Sequence, residues 1–195
     1  MRIRTFALLL AFVAAAPAAA QGPGTYRSES GFVLDLPAGW VRAPESAVEE
    51  VRSASRQPAL TFEAVFQAGG TRWPEPPFAA IAVGPTPRWL TPEEFRRRWT
   101  ADDAQTELQR RANRADTLQA GRVDARVGVP RWDPDTRAAW LRTEMGATGG
   151  VSWSAFMLHP SGRAMIILQH YGAPGTDEEQ VREELRGVVR SLRAG

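Results

Sequence analysis

The chain of 195 residues contains no cysteine and no lysine, and each absence narrows what the protein can be. Without cysteine there is no disulfide, no thiolate metal site and no lipid-modified cysteine, so the core alone must hold the fold. All 24 basic residues are arginine, and they stand against 22 acidic residues. Nucleic-acid-binding domains usually carry a clustered basic excess. Because this chain is almost neutral, we predict no nucleic-acid partner.

Catalytic and cofactor motifs are absent as well. The sequence has no Gly-x-Ser-x-Gly elbow, no glycine-rich phosphate loop and no His-Glu-x-x-His zinc motif. The segment around Asp133 and Asp135 lacks the further oxygen ligands of a calcium loop, which favours a plain turn. We therefore predict no metal, no cofactor and no catalytic residues, and we favour a protein that is not an enzyme.

The two histidines, His159 and His170, define the enzymatic alternative. A turn at 160–162 would place them toward opposite ends of two paired strands, on the order of 20 Å apart and too far to share a metal. Each is expected at the surface or at a strand end. A hydrolase or another enzyme with dispersed catalytic residues stays open if His170 converges with Glu144 and Tyr171 on one sheet face.

Residues 1–20 have the pattern of a secretory signal peptide. Arg2 and Arg4 precede an apolar run at 6–16, and alanines at 18–20 supply a small-residue cleavage site. The run is about half of the roughly 20 residues that a membrane helix needs, so we expect no stable membrane anchor. Cleavage removes two arginines, and the remaining 22 arginines then balance 22 acidic residues. We expect a periplasmic or secreted protein.

The rest of the chain predicts one domain. Residues 21–30 are polar and contain glycine and proline, which predicts a flexible lead. Residues 31–195 are long enough to bury a core of their own. The opening strand of this domain has a period-two apolar face formed by Phe32, Leu34 and Leu36. Trp40 follows a Pro-Ala-Gly turn and is expected to close the core over that strand.

Further patterns predict an α+β fold. Strand patterns are found at 60–67, 136–145, 151–159 and 163–171. A continuous apolar run predicts a further strand, buried on both faces, at 78–83. One face of the strand at 60–67 is expected to carry Leu60, Phe62, Ala64 and Phe66. Thr91 and Glu94 form a capping box for a middle helical segment reaching about residue 115, which is one helix or, with a second cap at 100–103, two helices meeting at a bend. Thr176 and Glu179 form another capping box before an amphipathic C-terminal helix. We predict an antiparallel sheet of about six or seven strands with both helices on its faces.

Seven tryptophans are the least ordinary feature of the composition. Those in predicted elements are expected in the core: Trp40, Trp99, Trp140 and Trp153. The other three lie in predicted loops, each directly after an arginine: Arg72-Trp73, Arg88-Trp89 and Arg131-Trp132. One hypothesis joins these six residues into a rim that binds a glycan, a peptide or another envelope protein, because Trp and Arg are enriched in binding hot spots. The alternative is that each Trp is buried under its own loop.

The order of elements resembles the PsbP/DcrB-like family. The resemblance covers nearly the whole chain after the signal segment. It rests on this topology and on two short motifs, GFVLDLPAGW at 31–40 and VVRSL at 188–192. It implies an antiparallel sheet with helices on both faces, and an exported accessory or binding protein of the cell envelope that is not an enzyme. No motif in this sequence matches a metal or partner site of the family.

Overall fold

The structure is a computed structural model of the chain. It describes residues 24–55, 58–68, 70–102, 105–107, 110, 125–146 and 149–195. The predicted signal segment and most of the predicted helix beyond residue 102 lie outside the described residues.

The described elements comprise three helices and eleven strands. The helices are α1 (Glu45–Ala54), α2 (Pro92–Thr100) and α3 (Glu178–Arg190). The strands before α2 are β1 (Thr25–Arg27), β2 (Phe32–Asp35), β3 (Val41–Arg42), β4 (Thr61–Gln67) and β5 (Phe78–Pro85). The strands after α2 are β6 (Ala125–Val127), β7 (Arg131–Asp133), β8 (Ala138–Met145), β9 (Gly150–Leu158), β10 (Ala164–Tyr171) and β11 (Arg193–Ala194).

These strands form two antiparallel sheets. The main sheet has eight strands in the order β3-β4-β5-β10-β9-β8-β6, and β7 also pairs with β8. The small sheet has the order β1-β2-β11, so the two ends of the described chain meet in it. The prediction of an α+β fold with a large antiparallel sheet is confirmed, with eight strands in place of six or seven. The meander β8-β9-β10 is paired as predicted.

The two faces of the main sheet carry separate hydrophobic clusters. On the face that we call the α3 face, Leu185 of α3 packs in one cluster with Ile81 and Leu168 of the sheet. On the opposite face, the α1 face, Val48 of α1 packs with Ile167. Successive residues of a strand point to opposite faces, which is how neighbouring positions of one strand contribute to both clusters. Helices therefore cover both faces of the sheet.

Trp40 closes the α3-face cluster as the sequence predicts. Its side chain is buried in the same cluster as Phe32 and Leu34 of β2. Its indole N–H donates to Glu184 of α3 at 2.7 Å. The tryptophan thus links the opening strand to the C-terminal helix, and the polar edge of its ring keeps a partner after burial.

The predicted common face of Leu60, Phe62, Ala64 and Phe66 is wrong, because Leu60 and Phe62 pack on the α1 face and Ala64 and Phe66 on the α3 face. The register of β4 against β5 shifts between Phe62 and Ala64. Such a bulge changes the alternation of side chains along the strand. Phe62 consequently packs in the α1-face cluster, whereas Ala64 and Phe66 pack in the α3-face cluster. A single irregularity therefore lets β4 supply aromatic side chains to both faces.

The ends of the helices are partly as predicted. Thr91 and Glu94 form both hydrogen bonds of the capping box that begins α2. For α3 the expected box at Thr176 is wrong, because Asp177 is the N-cap and accepts from the backbone N–H groups of Glu179 and Gln180. Strand β1 also begins at Thr25, within the segment expected to be a flexible lead.

Candidate functional site

The three loop tryptophans lie in two different places. Trp73 is on the α1 face, where its ring edge meets Phe78 at a centroid distance of 4.9 Å and its indole N–H donates to Glu50 at 2.6 Å. Trp89 and Trp132 instead line one cavity, together with Val189 and Arg190 of α3. The structure therefore brings two of the three predicted tryptophans together and assigns Trp73 to packing against α1.

The three arginines that precede these tryptophans also separate. Arg88 forms an ion pair with Glu94 of α2 at 2.8 Å, so it braces the start of that helix. Arg131 lines a second cavity, described below. Arg72 is exposed in the loop before β5. None of the three lines the cavity that Trp89 and Trp132 share.

The cavity shared by Trp89 and Trp132, which we call the main cavity, has a volume of about 700 Å³. It lies between the segment that leads into α2, the β7–β8 turn, the β9–β10 turn and the C-terminal end of α3. Its apolar walls include Trp89, Leu90, Phe95, Trp132, Met157 and Leu192. Cavities of this size that are mostly apolar with a few polar groups are typical of small-molecule sites.

The segment carrying Trp89 is held against the β9–β10 turn. The backbone N–H of Leu90 donates to the carbonyl of Gly162 at 2.8 Å. Gly162 has a φ of +71°, and a Cβ placed there would lie 2.6 Å from both the Leu90 carbonyl oxygen and the Trp89 indole nitrogen. Only glycine meets both demands at this position. Trp89 is nevertheless 58% exposed, so a large aromatic side chain is held in place at the cavity and still faces water.

The opposite wall of the main cavity is an aromatic cluster. Phe95 of α2 is almost fully buried and meets Trp132 of β7 edge to face, with ring centroids 6.1 Å apart. Trp99, one turn further along α2, meets Phe95 in the same way at 6.0 Å. Trp99 in turn stacks on Phe156 at 5.1 Å. This chain of rings connects the cavity wall to the sheet, which makes the wall rigid.

His159 lines the main cavity, but both of its ring nitrogens are engaged. The Ser161 backbone N–H donates to Nδ1 at 3.0 Å, so the ring proton resides on Nε2. Nε2 then donates to the carbonyl of Ser30 at 3.0 Å. His159 directly follows β9, at a strand end as expected, but it is buried rather than at the surface, and it ties the β9–β10 turn to the β1–β2 turn. Its role here is structural.

His170 lies elsewhere, beside a smaller cavity of about 160 Å³ below the start of α3. It lies near the end of β10, as expected, but its side chain is only 4% exposed and stacks on Trp40 at 6.2 Å. Burial lowers its pKa to about 4. Nδ1 has no hydrogen-bond partner among the described residues. The ring is therefore neutral at ordinary pH.

The enzymatic arrangement expected around His170 does not assemble. Tyr171 lies on the opposite face, where it stacks on Phe78 at 4.6 Å and burial raises its pKa to about 12. Glu144 is ion-paired with Arg142. Adjacent positions on one strand cannot share a face, which is the reason that His170 and Tyr171 diverge.

A second cavity, of about 550 Å³, lies beside the main one and shares Trp132 and Pro134 with it. Four arginines contribute to its lining: Arg131, Arg142, Arg182 and Arg186. Arg186 of α3 pairs with Asp133 at 3.2 Å and with Asp135 at 3.1 Å. Arg142 pairs with Glu144 and with Glu178. These pairs fasten α3 to β7 and β8, so most of this positive charge is already neutralised.

Two further observations bear on the class of site. Within the described ranges, no group of three or more His, Asp or Glu side chains is placed to hold a metal ion. Nor does that part of the chain include a helix of the length and apolarity needed to cross a membrane.

Comparison with known proteins adds no family. No protein-family model matches this sequence, and a search of curated proteins finds no match either. The residues that line the cavities are therefore the source of evidence for function.

Sequence reasoning missed several residues of the main cavity. No sequence pattern singles out Phe95, Leu192, Arg137 or Arg190 as a site residue. All four line the cavity. The sequence does contain one signal for Arg137. It follows the turn residues Pro-Asp-Thr, and a turn position of this kind is usually occupied by glycine or asparagine rather than by arginine.

Proposed function

We propose that this protein is an exported accessory or binding protein of the cell envelope, of the kind that the PsbP/DcrB-like resemblance implies. Its ligand occupies the main cavity and contacts Trp89 and Trp132. The single observation that carries the proposal is the exposure of Trp89 beside a cavity of about 700 Å³.

The exposed indole is a source of binding free energy. A tryptophan side chain buries on the order of 200 Å² when fully covered, and Trp89 remains 58% exposed. Covering the remaining apolar surface, roughly 100 Å², contributes about 2.5 kcal/mol. The backbone hydrogen bond from Leu90 to Gly162 holds the segment in advance, so little ordering entropy opposes that gain.

The surroundings of both histidines support binding over catalysis. General acid–base catalysis needs a titratable group within hydrogen-bond reach of a reacting group. The two nitrogens of His159 are used by Ser161 and Ser30. His170 is stacked on Trp40 and stays neutral, and its neighbour Glu178 is held by Arg142. Among the described residues, no carboxylate forms a hydrogen bond with either imidazole.

A thermal-shift screen tests the position of the binding site. The probes are a panel of soluble oligosaccharides, short peptides and small amphiphiles, with Trp89→Ala as the variant. The matched control is Val41→Ala, because Val41 is also a large apolar side chain exposed to water, at 45%, and it does not line the cavity. Compounds that raise Tm should lose their effect in Trp89→Ala and keep it in Val41→Ala. Equal shifts in both variants would refute this position for the site.

Export is tested separately. A reporter enzyme that is active only outside the cytoplasm, fused after residue 30, should become active, and N-terminal sequencing of the released protein should begin at Gln21. Replacing Arg2 and Arg4 with acidic residues should reduce export, because the charged region before the apolar run orients a signal peptide. An unprocessed protein that remains in the cytoplasm would contradict the proposal.

A further inference from the structure

The charged residues around the main cavity are not equivalent. Five of them line it: Glu93, Arg96, Asp135, Arg137 and Arg190. Glu93 pairs with Arg96 at 2.5 Å, and Asp135 shares Arg186 with Asp133 and Glu183. Arg137 and Arg190 are exposed, and neither forms an ion pair with a described residue. Three arginines against two acids give the lining a net charge of +1, and the two guanidinium groups without an ion pair among the described residues are those of Arg137 and Arg190.

The backbone of Arg137 adds a second, independent observation. Its φ is +52°, and it is the one non-glycine residue with a positive φ in the described part of the chain. An L-residue with a Cβ pays about 1 kcal/mol or more for this conformation, which glycine adopts freely. Asp135 on the same turn shows a local hydrogen bond from its N–H to Asp133 at 3.0 Å, so the turn itself is well formed. An arginine at a strained position points to a use for its side chain.

From these observations we infer that the main cavity binds small amphipathic anions. The apolar body of the ligand lies between Trp89 and Trp132, and a single carboxylate or phosphate is held by Arg137 and Arg190. This inference rests on the proposed function, which places the ligand in the same cavity. It adds the chemical class of the ligand.

Only a ligand with an apolar body and an anionic group contacts both the aromatic wall and the two arginines. A neutral apolar molecule covers Trp89 but leaves the two guanidinium groups without a partner. A small hydrophilic anion pairs with arginine but leaves the aromatic wall in water. Arginine binds carboxylate and phosphate through paired, charge-assisted hydrogen bonds, and beside an apolar wall these are less screened than on open surface.

Calorimetric titration with four probes tests the inference. Octanoate and octyl phosphate carry an eight-carbon chain with a carboxylate or a phosphate, 1-octanol carries the same chain without charge, and inorganic phosphate carries charge without a chain. We expect octanoate or octyl phosphate to bind at least about tenfold more tightly than octanol, and inorganic phosphate to bind weakest. The stronger of the two anionic probes identifies the head group.

Variants measure the contributions of the two arginines and of the aromatic wall to binding separately. Arg137→Gln and Arg190→Gln should each weaken binding of the anionic probe about fivefold and leave octanol unchanged. Arg98→Gln, an exposed arginine outside the cavity lining, is the matched control and should change nothing. Trp89→Ala should weaken binding of octanol and of the anions alike.

Two results would overturn the inference. If octanol and octanoate bind equally and both depend on Trp89, the preference for anions is wrong while the proposed binding site stands. If octanoate and octyl phosphate do not bind at all, the ligand class is wrong. The proposed binding site itself fails if no compound of the screening panel depends on Trp89.

Discussion

Protonation of His170 is expected to destabilise the fold as the pH falls from 8 to 5. Burial lowers the pKa of this side chain from its ordinary value of 6.5 to about 4. Between these two values the unfolded chain binds a proton at His170 and the folded chain does not. Stability is therefore complete above pH 6.5, falls as the pH drops below that value, and levels off below about pH 4.

The magnitude follows from the two pKa values. A difference of about 2.5 pKa units corresponds to about 3 kcal/mol in total, because each unit is worth about 1.4 kcal/mol. At pH 5 about 2 kcal/mol of this has been lost. Glu178, in the wall of the same cavity, does not titrate in this window, because its hydrogen bonds with Arg142 lower its pKa.

Urea unfolding at pH 8, 6.5 and 5, followed by circular dichroism, measures this loss. The matched variant is His170→Phe, whose ring can keep the stacking on Trp40 but cannot be protonated. In this variant the loss between pH 8 and 5 should shrink by about 2 kcal/mol. At pH 8 it should be as stable as the parent or more so, because it removes a buried nitrogen without a partner.

Two outcomes would refute this reasoning. The parent protein could lose less than about 0.5 kcal/mol between pH 8 and 5, far below the value expected from the linkage relation. Alternatively, His170→Phe could show the same loss as the parent. Either result would mean that the folded and the unfolded chain protonate His170 at nearly the same pH.

Three further changes probe the backbone around the cavity and α3. Gly162→Ala should lower stability by about 2 kcal/mol or more and alter the fluorescence of Trp89, because the new Cβ meets Trp89 and a backbone carbonyl at a positive φ. Gly187→Ala, in an open position within α3, should instead raise stability by up to about 1 kcal/mol; a loss there would contradict the packing described for this helix. Asp177→Ala should cost about 1 kcal/mol in thermal unfolding through loss of the α3 cap, and an unchanged Tm would show that the cap is not used.

The features predicted correctly are those that depend on neighbours in the chain. The capping box of Thr91 and Glu94 involves residues three apart. The strands of the meander are predicted by the alternation of apolar and polar residues over a few positions. The amphipathic spacing of Val181, Leu185 and Val188 likewise predicts which side of α3 is buried. Local geometry makes these assignments independent of the rest of the fold.

The errors have a different origin. The bulge between Phe62 and Ala64 arises from pairing with β5, so the spacing within β4 does not reveal it. The burial of His159 depends on Ser30, which is 129 residues away. The N-cap of α3 moved by one residue to Asp177, because Thr176 instead donates its hydroxyl hydrogen bond to Ala173. In each case a contact from outside the local pattern decided the outcome.

The sequence by itself determined the class of the fold, the presence of two helices at capping signals and the absence of cysteine. Alternation and capping signals involve only a few neighbouring residues, and composition is a property of the whole sequence. These features therefore do not depend on how the chain folds. Only the tertiary structure decided that Trp89 and Trp132 share a cavity while Trp73 packs against α1. It also decided that Arg137 and Arg190 line that cavity without an ion pair to any described residue, because the β7–β8 turn and the end of α3 meet there only after the sheet has formed.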